Sequence, residues 1–238
     1  MVKQKNGDVI MGRVLFVVTN HSELGNTGHK TGYYLSEVAH PFHVLHEAGY
    51  EIDFVSPRGG KAPMDPRSNQ LDDPINKAFW EAHGARLEET LAPEQIDPAR
   101  YIAIFYAGGH GTMWDFPESE AIARIAASIY ERGGAIGAVC HGPSGLLPIR
   151  LSNGRPLVEG RRINSFTNEE EQAVQLDKIV PFLLETRLKE LGAIHVSVKN
   201  FAPYVEVDDR IVTGQNPASA ERVGRALVEV LSRLSVPA

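Results

Sequence analysis

Short apolar runs alternating with amphipathic segments constrain this chain more than any other feature of its sequence. The runs "RVLFVVTN" (13–20), "EIDFVSP" (51–57), "YIAIFYAGG" (101–109) and "AIGAVC" (135–140) read as strands. The first and last are apolar at nearly every position, as strands covered on both faces are. Between them, "GYYLSEVAHPFHVLHEAGY" (32–50), "INKAFWEAHGARLEETL" (75–91) and "ESEAIARIAASIYERGG" (118–134) read as helices, the first and third stopped by glycine. Pro41 lies inside the first and is expected to end or kink a turn there. Strands alternating with helices imply an α/β protein built on a parallel sheet with right-handed crossovers.

The pattern changes after residue 140. "RPLVEGRRINSF" (155–166) reads as a hairpin or strand pair, and "VPFLLETRLKELGA" (180–193) as a helix. "YVEVDDRIVTGQ" (204–215) reads as a hairpin turning at Asp208-Asp209. "NPASAERVGRALVEVLSRL" (216–234) is a closing helix, with Asn216 as its N-cap and Pro217 in the first turn. No linker-like stretch divides the chain, so residues 11–238 are expected to form one domain behind a polar tail at residues 1–10. Residues 59–75, rich in Pro, Asp and Gly, read as a surface loop able to border a pocket.

Composition narrows the function classes. A net charge of −6 with no basic stripe argues against nucleic acid as a partner. No stretch approaches the ~20 apolar residues of a membrane span, and the N-terminus lacks the apolar centre of a signal peptide. A single cysteine forms no internal disulfide and no metal cluster, and fits the reducing cytoplasm. The helical spacing of His40, His43 and His46 comes with no matching carboxylates, so no metal is expected.

Ligands of a parallel sheet bind beyond the carboxyl ends of its strands. Two such ends carry chemistry here: Gly108-Gly109-His110-Gly111 and Cys140-His141-Gly142-Pro143. Taken singly, Cys140 reads as a buried core residue, His141 as a half-buried polar group and the glycines as turn formers. Together at neighbouring strand ends they read as a site. A strand-to-helix turn would lift the sulfur out of the sheet, as in the serine elbow of hydrolases. A helix N-terminus and the adjacent imidazole would lower the thiol pKa. An amide such as Gly109 N–H would stabilise an oxyanion.

The segments "GYYLSEVAHPFHVLHEAGYEIDFVSPRGG", "YAGGHGTMWDFPES", "AVCHGP", "RPLVEGRRINSFTNEEE" and "DDRIVTGQNPASA", in this order, resemble the ThiJ/PfpI superfamily. They most resemble its branch of stress-response chaperones with glutathione-independent glyoxalase (glyoxalase III) activity. The resemblance runs from Met11 onward. It implies a flavodoxin-like α/β sandwich related to class I glutamine amidotransferases, a homodimer, and no cofactor. It makes Cys140 the nucleophile, Glu37 the helical carboxyl reaching its sulfur, and His141 the histidine after the nucleophile. Glu171 aligns with the acid that orients this histidine, with Glu169 and Glu170 adjacent to it. Gly109 and the His141 amide match the oxyanion positions, and His110 is placed near the substrate, while Trp114 and Asp115 either shape the pocket or merely pack.

These residues predict conversion of methylglyoxal and related 2-oxoaldehydes to 2-hydroxy acids through a Cys140 hemithioacetal. Either Glu37 or His141 moves the carbon-bound proton, and His141 assists the hydrolytic water. The alternatives are a deglycase, amidohydrolase or peptidase on the same Cys-His pair, and a stress chaperone or thiol redox sensor.

Overall fold

The computed structural model describes residues 11–234, together with the backbone of two short antiparallel strands, β1 (Gln4–Lys5) and β2 (Asp8–Val9). The tail expected at 1–10 otherwise lies outside the described residues. The main sheet takes β3 (Gly12–Val17), β4 (Tyr50–Val55), β5 (Ala103–Tyr106), β6 (Ala135–Val139), β9 (Val205–Asp208) and β10 (Ile211–Gly214) in the order β4-β3-β5-β6-β10-β9. All neighbours are parallel except the edge pair β9–β10, the hairpin expected at 204–215, whose turn holds Asp209 at φ 55°. This is the flavodoxin-like α/β class.

Strand alternation feeds two cores. Val14 and Phe16 face α1 (Leu35–Glu47), α2 (Pro74–His83) and α7 (Ala220–Leu234), whose Leu35, Val38, Phe42, Phe79, Val223 and Leu227 complete one layer. Leu15 and Val17 face the other way, onto Ile122, Ile125 and Ile129 of α4 (Glu120–Glu131) and Leu184 and Leu188 of α6 (Leu184–Glu190). Each such side chain stabilises the fold by ~1.5–3 kcal/mol on burial. That gain on both faces is why these strands read as continuous apolar runs. Two short helices, α3 (Thr112–Asp115) and α5 (Asn168–Ala173), lie at the carboxyl edge of the sheet. No helix among the described residues is long and apolar enough to cross a membrane.

Several expectations need correction. α1 does not end at Pro41 but continues to Glu47. The cost of the missing N–H is offset by packing: Gly224 of α7 sits so close that a Cβ there would lie 3.0 Å from Pro41 Cα. The helix read over 75–91 stops at His83 and continues as a 3₁₀ turn, and the one read over 180–193 starts only at Leu184. The stretch 155–166 forms no hairpin. Its one strand, β7 (Arg162–Ile163), pairs in parallel with β8 (Ile194–His195), a partner outside the local sequence. Asn216 does not cap the last helix with its side chain; its amide donates instead to Glu170 Oε1 (3.0 Å) and the Ala202 carbonyl (2.8 Å).

Register fixes the site. Val17, Tyr106 and Ala138 lie side by side across β3, β5 and β6. The chain therefore leaves β5 and β6 at the same level of the sheet edge, which brings Gly108–His110 against Cys140–His141.

Candidate active site

Cys140 follows β6 directly and holds φ at 60°, a left-handed value that costs a non-glycine residue ~1–3 kcal/mol. Bonds on both sides enforce it: Cys140 N–H donates to the Gly214 carbonyl (2.8 Å), and its carbonyl accepts from Phe166 N–H (2.9 Å). The turn then enters a short 3₁₀ helix, Gly142–Leu146. Thr112 ties this turn to the glycine loop, its hydroxyl directed at the carbonyls of both Gly109 (2.9 Å) and His141 (3.1 Å).

Glu37, in the first turn of α1, is fully buried beside the sulfur. A helix N-terminus favours a carboxylate by ~0.3–1 kcal/mol. Complete burial outweighs this and pushes the Glu37 carboxyl well above the usual range, with Asp65 adding to the rise. The Cys140 thiol and Gly108 N–H face it and partly offset the burial. Neither carboxyl oxygen completes a hydrogen bond of ordinary geometry within the described residues. Gly108 is obligatory here: a Cβ would lie 2.1 Å from Glu37 Oε2 and 2.5 Å from the Val139 carbonyl. Gly109, at φ 111°, leaves no more room, since a Cβ would meet Gly32 O at 2.3 Å. The N–H groups of Gly109 and His141 find no acceptor among the described residues. Both are therefore available to a negative oxygen.

His141 is buried, its Nδ1 3.3 Å from Cys140 Sγ and its Nε2 2.7 Å from Glu171 Oε2. His110 Nε2 lies 2.7 Å from the other oxygen, Oε1, and the two imidazoles lie tilted at 42° with their centroids 4.0 Å apart. The two histidines hold the Glu171 carboxyl far below the carboxylate range despite its burial. An ionised carboxylate only accepts, so both Nε2 atoms carry hydrogen. The His110 Nδ1 accepts from Arg67 Nη2 (3.3 Å), and the His141 Nδ1 faces the thiol. Burial, with His141 close by, lowers the His110 pKa to about 4, so this ring is neutral at physiological pH. The donor atoms of His110, His141 and Glu171 lie within 4.8 Å of one another, a spacing a metal site would share. Here each carboxylate oxygen takes one short hydrogen bond from an imidazole.

The expected lowering of the thiol pKa does not occur. Burial raises it, and the neighbouring Glu37 carboxyl, with Glu170 and Glu171, raises it further. A thiol held this way would need a base to act as a nucleophile, and His141 Nδ1 is the nitrogen within reach. The Cys140 residue is only 3 % exposed, so whatever reaches the sulfur is small.

The sequence reading gave no part to Asp65 or Arg67 and left Glu170 as a neighbour of Glu171. The loop expected at 59–75 does border the site: Tyr33 N–H donates to the Pro63 carbonyl and Asp65 N–H to the Tyr33 carbonyl (both 2.9 Å), pinning it to the start of α1. Asp65 opens a 3₁₀ turn there, followed by Pro66, and holds Arg67 through Nε (3.0 Å) and Nη2 (2.7 Å). Glu170 forms a capping box with Thr167: its N–H donates to Thr167 Oγ1 (3.0 Å) and its Oε2 accepts from Thr167 N–H (2.9 Å). Its Oε1 accepts from Phe201 N–H (2.7 Å) and the Asn216 amide (3.0 Å). The Thr-x-x-Glu spacing was legible in the sequence as a cap. It assigns Glu170 to the helix end and leaves Glu171 facing the histidines. Trp114 stacks on His21 at 4.9 Å, and Asp115 accepts from Thr19 Oγ1 and Asn20 N–H (2.8 Å each); both pack the loop after β3. His40 pairs with Asp73 (3.0 Å).

The sequence profile of the DJ-1/PfpI family matches residues 30–230. The chain is 33% identical to the glutathione-independent glyoxalase HSP31 of Saccharomyces cerevisiae, over 92% of this chain and 98% of that protein. Among solved structures, Rapid Encystment Protein REP24 of Francisella tularensis superposes with a TM-score of 0.89 at 37% identity, covering 92% of this chain and 99% of that one. Glyoxalase III of Candida albicans superposes with a TM-score of 0.86 at 29% identity, over 92% and 97%. A parallel sheet with a lone thiol on a strained turn at its carboxyl edge, matched over most of its length by profile, sequence and backbone, belongs to the DJ-1/PfpI family.

Proposed function

We propose that this chain is a glutathione-independent glyoxalase that converts methylglyoxal and related 2-oxoaldehydes to 2-hydroxy acids without a cofactor. One observation carries the reading: a thiol, a base oriented by a carboxylate, and a second, buried carboxyl meet at one barely accessible sulfur. Relatives named glyoxalases, at about this length and a third identity, support it.

The reaction needs no outside oxidant, because the aldehyde carbon is oxidised while its neighbour is reduced. His141 Nδ1 takes the thiol proton as Sγ adds to the aldehyde carbon. The new oxyanion lies against the free amides of Gly109 and His141, then accepts the proton from His141, giving a hemithioacetal. His141, neutral again, removes the carbon-bound hydrogen. Protonated Glu37 donates to the ketone oxygen, giving an enediol. His141 returns its proton to the second carbon, and Glu37 recovers one from the first hydroxyl, leaving a thioester. A raised carboxyl pKa suits Glu37 to the acid role and leaves the carbon proton to His141. Water activated by His141, with Glu171 stabilising the imidazolium, releases the hydroxy acid and the thiol.

The peptidase and protein-deglycase readings require protein-sized substrates to reach a sulfur that is almost closed off. Purified protein given methylglyoxal without glutathione should form lactate, and Cys140→Ala should abolish this while unfolding like wild type. Undiminished methylglyoxal consumption by Cys140→Ala overturns the reading. Turnover of glycated amino acids in its place supports the deglycase alternative. A cytoplasmic homodimer belongs to the same proposal, checked by sedimentation equilibrium and by fractionation.

A further inference from the structure

His110 is a buried titratable group with no step of its own in this reaction, yet it takes half of the carboxylate that serves His141. Its other nitrogen is also engaged. Asp65, buried, accepts from Arg67 N–H (2.9 Å), Nε (3.0 Å) and Nη2 (2.7 Å), and from Thr31 Oγ1 (2.9 Å). So anchored, Arg67 Nη2 turns its remaining hydrogen toward His110 Nδ1, 3.3 Å away. The contacts run without interruption from Asp65 through Arg67, His110, Glu171 and His141 to Cys140.

We propose that Arg67 is a positioning residue that holds His110 as the neutral Nε2–H tautomer, keeping Glu171 an undivided negative partner for His141. The proposal rests on the reading of Cys140, His141 and Glu171 as the reacting set. Its logic is donor counting. The Nδ1–H tautomer would set N–H against N–H at Arg67 and a lone pair against the carboxylate at Glu171. The imidazolium would set a cation and a donor against the guanidinium. Only the neutral Nε2–H form satisfies both ends.

The groups facing His110 are Arg67 with Asp65 behind it, Glu171 from α5, His141 from the elbow, and the Phe166 ring at 6.0 Å. Burial, His141 and Arg67 lower its pKa, and Glu171 alone raises it. Without Arg67, His110 takes up a second proton at higher pH. Glu171 then already neutralises one cation, and His141 becomes a weaker base for the thiol. Arg67 thus sets the acid limit of thiol activation.

Three variants test this: Arg67→Met, without the donor; Arg67→Gln, with a donor but no charge; and Arg67→Lys, with both in another shape. In wild type, ¹⁵N spectra of labelled histidines should assign His110 to the Nε2–H tautomer, with no titration above about pH 5. In Arg67→Met the His110 titration, and the acid limb of Cys140 alkylation by iodoacetamide, should both move up by about one pH unit or more. In that variant kcat at pH 5 should fall about twofold relative to wild type and match it at pH 8, with KM unchanged, and Arg67→Lys should recover most of the loss. The proposal fails if His110 keeps its tautomer and titration in Arg67→Met. It also fails if that variant raises KM and leaves the pH profile in place, which makes Arg67 a substrate contact. If Arg67→Met does not fold, the same two outcomes are read from Arg67→Gln, whose His110 should shift less than in a donor-free site and more than in Arg67→Lys. The spectra and the alkylation profile need no turnover, so they decide the role of Arg67 even if methylglyoxal proves not to be a substrate.

Discussion

At the residue scale, the sulfur is governed by how little space surrounds it. Glu37 reaches Cys140 only because Gly108 has no side chain. Gly108→Ala should force the Glu37 carboxyl away and press on the Val139 carbonyl, which is backbone and cannot rotate aside. Overpacking of this kind costs ~1–3 kcal/mol of stability. Displacing a reacting group by an ångström costs about 100-fold in rate. We expect Gly108→Ala to lose about that much kcat while melting only a few degrees lower, checked by initial rates and thermal denaturation. Glu37 and Glu171, on helices, entered through the family resemblance, whereas the sequence itself picked out Cys140, His141 and Gly109, because chemistry-bearing residues at strand ends stand out against apolar runs. It gave the wrong sign for the thiol pKa, because an imidazole and a helix terminus are visible in sequence and the depth of burial is not.

At the element scale, α5 shows how a short helix aims its residues. Its six residues are too few to hold a helix by propensity alone. The Thr167–Glu170 box fixes its start, and Glu170 Oε1 ties that start to Phe201 and Asn216. Glu171, one residue on, is thereby turned to His110 and His141. Thr167→Ala should cost about 1 kcal/mol in urea denaturation. It should also lower kcat more than it raises KM, whereas Thr167→Ser should restore both. Long periodic elements such as α4 and α7 were legible to within a few residues. β7 was not, since its only strand partner, β8, lies some thirty residues away in the chain. Pro41 misled for a related reason: a local rule about prolines met a tertiary contact with Gly224.

At the scale of the whole molecule, buried carboxyls of opposite behaviour shape stability against pH. Glu37 is raised, so the folded state holds its proton more tightly than the unfolded chain. That stabilisation is complete below about pH 4.5 and is lost as pH rises toward the folded value, by up to about 1.4 kcal/mol per unit. Asp115, raised to about 6 chiefly by burial, behaves likewise up to that pH. Glu171 is lowered, and its contribution is present above about pH 4.5 and lost on acidification. Glu37→Gln should therefore gain stability relative to wild type as pH is raised from about 5 to 8, read by urea unfolding at each pH. A constant difference across that range would show that Glu37 is not held protonated.

The sequence by itself determined the layered α/β sheet, the carboxyl edge as the place of the site, and the residue types gathered there. Apolar periodicity and glycine-rich strand ends are local properties, and burial on two faces of a sheet admits few other solutions. Only the tertiary structure decided the protonation pattern. Which nitrogen carries hydrogen, which carboxyl keeps its proton and which arginine stands behind His110 depend on contacts between segments tens of residues apart. At a buried site such contacts outweigh any preference the residues carry alone.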